Sequence, residues 1–222
     1  MIKIKKDAIK YKNSEGQMQS AGVLCKVGTF GEDWLKYATS WGSVFYQLKS
    51  EVPMDFVLEY GDAFKGSIAN MFAYSSGVRS VKIIGTNIVT ADAAGFVRNS
   101  SSLERIDVSE CNFVYHNIQS TFLGCSKLRD ILGYLDFSKT KLFVSPFAGC
   151  LALEEIRFVE GCLKLSISFS GSPLLSDSSI QSIINGLATV ETAQTLTLHA
   201  DVKAKLTEEQ IATITSKNWT LA

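Results

Sequence analysis

No excess of charge of either sign marks this chain: 22 Lys and Arg stand against 22 Asp and Glu over 222 residues. The cationic term that dominates non-specific nucleic-acid binding is therefore missing, and anionic membrane surfaces are poor partners for the same reason. No apolar run reaches membrane-spanning length, so membrane insertion is not expected. The opening MIKIKKDAIKYKN carries lysines but nothing of signal-peptide length. Histidine occurs only at His116 and His199. There is no G-x-S-x-G, no phosphate-cradling glycine loop, no H-E-x-x-H and no C-x-x-C pair. No catalytic, cofactor or metal residue is assigned. A zinc site would have to gather Cys111, Cys125, Cys150 and His116, and a paired-carboxylate glycosidase would need a groove that thin stacked repeats do not obviously offer.

What the chain does have is repetition. Phe72, Phe96, Phe122, Phe147 and Phe169 recur at intervals of 24, 26, 25 and 22 residues. Each opens a related phrase: FAYSSGVRSV, FVRNSSSLERI, FLGCSKLRDI, FAGCLALEEI and FSGSPLL. A small polar stretch follows the phenylalanine, then an apolar pair spaced L-x-x-I, which is the form of a leucine-rich-repeat rung. Stacked rungs share one core, so a single elongated body is expected. Each rung reads as two short strands, one at the L-x-x-I core and one before the next phenylalanine. Of five cysteines, Cys125 and Cys150 stand three residues after an anchor, where other repeats have Ser75, Asn99 and Ser172. That small, half-polar column suits buried reduced thiols. A disulfide between adjacent rungs is geometrically conceivable, and the lack of an export signal speaks against it.

FLGCSKL and FAGCLAL resemble the BspA-type leucine-rich repeat closely, while FAYSSGV and FVRNSSSL, the latter one residue longer, resemble it loosely. The resemblance implies an α+β leucine-rich-repeat solenoid of mostly β rungs over 51–175. The family is associated with bacterial surface and adhesion proteins, and such repeats also occur in phage and prophage structural genes. The segments 1 to about 30 and 176–222 resemble the ends of prophage tail-region proteins. The implied function is non-enzymatic recognition of a protein or cell-surface glycan, in a virion or, before assembly, the cytoplasm. A secreted surface adhesin is the alternative, and a carbohydrate-active enzyme a third class.

The ends read differently from the repeats. AIKYK and MQSAGVLCKV flank NSEGQ as a β-hairpin. Trp34, Tyr37, Ala38, Trp41, Val44, Phe45 and Leu48 follow helical spacing, so residues 1–50 are expected to form a hairpin and a capping helix. Trp34 and Trp41 would cover the open end of the stack. Over 176–222, SDSSIQSIINGLATV predicts a helix capped by Ser176 or Asp177, TLTLH a strand, TEEQIATITSK a helix capped by Thr207, and WTL a last strand. This α/β cap continues the repeat, with Thr220 24 residues after Leu196, and would close the sheet edge.

Aligned on L-x-x-I, Arg79, Glu104, Arg129 and Glu154 form one column, Ser80, Arg105, Asp130 and Glu155 the next, and Lys82, Asp107, Leu132 and Arg157 a third. Stacking would make opposite charges neighbours at about 0.2–1 kcal/mol per pair. Reversal of Glu104 is therefore expected to lower stability. Candidate binding residues are those the core does not claim: Tyr74, Arg98, Tyr115, His116, Asn117, Tyr134 and Lys139. Tyrosine and arginine suit recognition because they combine contact area with polar ends. Tyr115 and His116 rank first because they lie in the longest interval between anchors.

Overall fold

The structure is a computed structural model that describes residues 10–12, 18–20, 40–62 and 64–222. It is an α+β protein with mostly parallel strands and few helices. Strands β1 (Lys10–Lys12) and β2 (Met18–Ser20) pair antiparallel with Lys10 opposite Ser20, as the hairpin reading required. Strands β3 (Met54–Glu59), β4 (Val78–Asp92), β5 (Arg105–Asn117) and β6 (Asp130–Leu132) form a four-stranded parallel sheet in chain order. β7 (Ile167–Phe169), β8 (Gln194–Leu198) and β9 (Trp219–Leu221) form a second parallel sheet, also in order. Helices α1 (Asp177–Gly186), α2 (Ala200–Lys203) and α3 (Glu208–Ser216) belong to the C-terminal part.

The register is that of a repeat. Ser80 pairs with Arg105, Arg105 with Asp130 and Asp130 with Glu155, an advance of 25 residues each time. In the first two full repeats the two expected strands run together as the long β4 and β5, with register shifts where the chain bends, between Lys82 and Ile84 and between Ile84 and Ile88. Later repeats are less regular, and isolated bridges such as Leu135 to Phe158 and Asn117 to Leu142 continue the pairing.

Between strands the chain winds through consecutive tight turns in which alternate amides serve different partners. The Asn70, Phe72 and Tyr74 amides donate to carbonyls of the next repeat (Ala94, Phe96 and Arg98; 2.6–2.8 Å), whereas Met71, Ala73 and Ser75 donate three residues back within their own repeat (3.2 Å). The six amides from Asn70 to Ser75 are thereby satisfied without a helix or a sheet. This geometry places two residues per repeat at positive φ. One column holds Ser43, Asn70, Gly95, Ser120 and Ser145, and the other holds Gln47, Tyr74, Asn99, Gly124 and Gly149. The Gly in FLGC and FAGC follows from it, because glycine enters that region without a Cβ penalty.

Two corrections follow. Residues 41–47 trace the same turn rather than a helix: the Ser43, Phe45 and Gln47 amides donate to Ala69, Met71 and Ala73 of the next repeat (2.8–2.9 Å), and Ser43 and Gln47 have positive φ. Successive i, i+3 turns bury residues three and four apart just as a helix does, which is why the spacing misled. Trp34, Tyr37 and Ala38 lie outside the described residues. Secondly, Phe72 aligns with Val97 rather than Phe96, since Phe72 donates to the Phe96 carbonyl and Val97 to that of Thr121. The apolar column is Phe45, Phe72, Val97, Phe122, Phe147, and its period from Phe72 to Phe147 is a strict 25.

One hydrophobic cluster runs from Trp41 to Trp219. Phe45 stacks on Phe72 (5.0 Å), Phe122 on Phe147 (5.3 Å) and Phe147 on Phe169 (4.8 Å). A second aromatic file passes from Tyr60 through Phe113, Tyr115 and Phe137 to Phe158 at 5.1–5.9 Å. Such pairs add about 0.5–1.5 kcal/mol each beyond the area they bury. Trp41 is wholly buried against Phe64 at 4.5 Å, inside the stack and unavailable as a ligand platform.

Beside this core, Ser75, Ser100, Cys125 and Cys150 each donate to the carbonyl in the preceding repeat, of Phe45, Phe72, Val97 and Phe122 (2.6–3.2 Å). Ser172 donates to the Cys150 carbonyl (3.2 Å). Ser100, not Asn99, occupies the column. Serine and cysteine interchange there because both are small and carry a donor. Both thiols are buried, and desolvation pushes Cys125 up to about 12 and Cys150 well above the ordinary thiol value, which favours the protonated form. Cys25 lies outside the described residues.

The C-terminal reading is met closely. Ser176 caps α1, Thr207 and Gln210 form a capping box on α3, and β9 pairs with β8. The spacing is 25 rather than 24, because Leu221 stands opposite Leu196. The sheet ends on β9, whose three residues make a short edge.

Candidate interaction surface

The outward columns come from the strand registers. Arg105 reaches Asp130 in the next repeat (2.9 Å), as cross-strand stacking required. The other column pairs sideways: Arg79 binds Asp55 through two nitrogens, and Arg129 binds Asp130 (3.2 Å). Lys82 lies 3.8 Å from Asp107 and also meets Glu110 at 2.5 Å. Asp130 is therefore the hub. Burial alone would raise its carboxyl, but hydrogen bonds from Arg105 and Arg129 hold it below the ordinary value. A shallow groove of about 660 Å³ runs over these residues, with Asp55, Glu104 and Lys127 on its walls. Two of its carboxylates are already held by arginines, so it is poorly arranged to offer a free acid and base.

The candidate residues separate into three places. Arg98 stacks over the Tyr74 ring at 5.0 Å, and Tyr46, which the sequence did not single out, meets that ring edge-on at 5.8 Å. Both tyrosines are exposed. Tyr74 holds φ +59, a costly conformation for a bulky residue, and the Arg98 Nε is buried without a hydrogen-bond partner. The side-by-side placement of Tyr74 and Arg98 comes from the turn geometry, which puts position 74 of one repeat against position 98 of the next.

His116 and Lys139 line a second hollow of about 520 Å³ with Thr90 and Lys141. The His116 Nδ1 is buried and unpartnered. Tyr115 is corrected: it is 5% exposed, packed between Phe113 and Phe137. Phe113 points inward on β5, so strand alternation sends Tyr115 in and His116 the other way. The interval that favoured these residues is also not long, because Val97 restores the 25-residue spacing. Asn117 is half-buried and uses its side-chain oxygen on the Gln119 amide (3.2 Å), a local turn bond.

Tyr134 stands apart from both groups and is 62% exposed. It borders two further hollows, of about 540 and 440 Å³, and shares both with Arg157. The sequence places Arg157 only in the charge ladder. His199 caps α2, its Nδ1 accepting from the Asp201 amide (3.2 Å). Among the described residues no group of three His, Cys, Asp or Glu is placed to hold a metal ion, and no helix is long and apolar enough to cross a membrane. No family model, curated protein or solved structure matches the chain.

Proposed function

We propose that the chain is a non-enzymatic binding protein whose stacked repeats form a solenoid of the BspA-like leucine-rich-repeat type and present an extended recognition surface. The observation that carries this reading is the 25-residue parallel register, which sets outward side chains in columns across successive repeats. Among the described residues, exposed side chains line several separate shallow hollows. Stacked repeats use such surfaces to bind proteins or glycans over many small contacts. The setting we favour is a phage or prophage tail, where the protein would contact the host surface, with a bacterial surface adhesin as the rival.

Mass spectrometry of particles from an induced culture, run beside a protease-shaving digest of uninduced cells, tests the setting. Peptides confined to the particles support the virion reading. Peptides released from uninduced cells replace it with the adhesin.

A further inference from the structure

The surface around Tyr134 combines an exposed aromatic ring with hydrogen-bonding side chains in the two hollows that it borders. The ring is presented by rigid backbone. On one side, Gly133 has φ +89 and packs so tightly on β5 that a Cβ there would stand 2.6 Å from the Ser109 nitrogen. On the other, Leu135 is buried, donates to the Arg157 carbonyl (2.9 Å) and accepts from the Val159 amide (3.1 Å). A tyrosine on a mobile loop would lose backbone entropy on binding, and here the backbone on both sides has already been ordered by folding.

The polar groups flanking the ring retain capacity. Asn112 donates Nδ2 to the Thr86 carbonyl (2.7 Å), leaving its side-chain oxygen to accept. Asn185 accepts from Gln181 (2.9 Å), leaving its own Nδ2 to donate. Asn112 lies in the hollow on one side of Tyr134 and Asn185 in that on the other, with Arg157 shared between them. The ionic groups, Arg157 against Asp136 and Glu160, give no excess of positive charge that would select an acidic ligand.

We propose that Tyr134 is the stacking platform of a binding site for a neutral oligosaccharide, with Asn112, Arg157 and Asn185 bonding its hydroxyls. A sugar ring has an apolar C–H face for the aromatic ring and a rim of hydroxyls that both donate and accept, which amides match in either sense. Hollows on both sides of one ring fit a chain of several sugars better than a single one. The inference rests on the recognition reading above and narrows it to one surface and one ligand class.

The test is an array of neutral, sialylated and sulfated oligosaccharides and of linear peptides, probed with the full chain, Tyr134→Ala, Tyr134→Phe and, as a control at an exposed residue outside the surface, Leu174→Ala. Binding to neutral oligosaccharides of three or more sugars is expected, at least 10-fold weaker for Tyr134→Ala, and little changed for Tyr134→Phe, which keeps the stacking ring, and for Leu174→Ala. Equal melting midpoints show that the exposed-site variants fold. The inference is overturned if the chain binds only acidic glycans or only peptides, if it binds nothing on the array, or if Tyr134→Ala binds as wild type. Parallel binding to intact host cells separates the two levels. Cell binding that survives Tyr134→Ala removes this site and leaves the recognition reading standing, whereas no cell binding by the wild type removes both.

Discussion

Cys125 shows why a repeat tolerates two chemistries at one position. Its thiol is a hydrogen-bond donor to the Val97 carbonyl (2.9 Å) and otherwise a small core atom. Cys125→Ser is expected to leave the urea midpoint nearly unchanged, whereas Cys125→Ala should lower stability by about 1–2 kcal/mol through the lost donor. Equal losses for both would mean that volume, not the bond, fills the column. Asp130 makes the opposite case, a charge placed among its partners. Its folded pKa lies below the ordinary 3.8, so its stabilisation is complete above that value and disappears as pH falls through the lower folded one. Asp130→Asn should therefore melt lower than wild type at neutral pH, with the gap closing in acid below about pH 4. A constant gap across that range would show the ion pairs to be incidental. Tyr74 sits where other repeats carry Asn99, Gly124 and Gly149, and pays for a left-handed backbone. Tyr74→Gly should raise stability by up to about 1 kcal/mol in urea denaturation, and a loss instead would show that the contacts with Arg98 and Tyr46 outweigh the strain. What the sequence hid at this scale was direction. Tyr115 and His116 are adjacent letters, and only counting by two from an inward Phe113 shows that the first belongs to the core.

Helices α1 and α3 are the most legible elements because their signals are local, whereas the four-residue α2 is not anticipated in the sequence. Ser176 accepts from the Ser179 amide, and Thr207 and Gln210 exchange side-chain and backbone bonds, all within four residues. The other end of α1 depends on a distant residue. The Lys217 ammonium donates to the Ile184 and Leu187 carbonyls (2.9 and 2.8 Å), closing the helix from 33 and 30 residues away. Desolvation lowers the pKa of Lys217. Lys217→Met keeps the stem and removes the three donors. It is expected to lower the melting temperature by several degrees, measured by circular dichroism, while Lys217→Arg retains part of the loss. No pattern in the sequence could announce this bond. The same holds for the merging of two short strands into β4 and β5, and for Val97 in a phenylalanine column. Each is decided by the neighbouring repeat, and a buried Phe96 one residue away imitates the true anchor. The winding turns at 41–47 imitate a helix in sequence for the related reason that helix and turn bury residues at the same spacing.

Across the whole molecule, stability should be graded. The repeats from 72 to 150 keep a strict period and a continuous aromatic file, whereas the first repeat matches the phrase least. Among the described residues, amide hydrogen exchange is expected to be fastest over residues 40–60 and slowest over 72–150. The central claim is that the chain advances by one strand spacing every 25 residues, for the recognition surface exists only if the columns do. Asp55, Ser80, Arg105, Asp130 and Glu155 are successive partners in one column. The most direct test is a distance between nitroxide labels at positions 55 and 155, introduced as cysteines after the five native ones are replaced by serine. Four strand spacings of about 4.8 Å put these backbones about 19 Å apart although 100 residues of chain separate them, and a narrow label distance of about 15–30 Å is predicted. A broad distribution, or a mean beyond about 35 Å, would contradict the stacked register and with it the surface built on it.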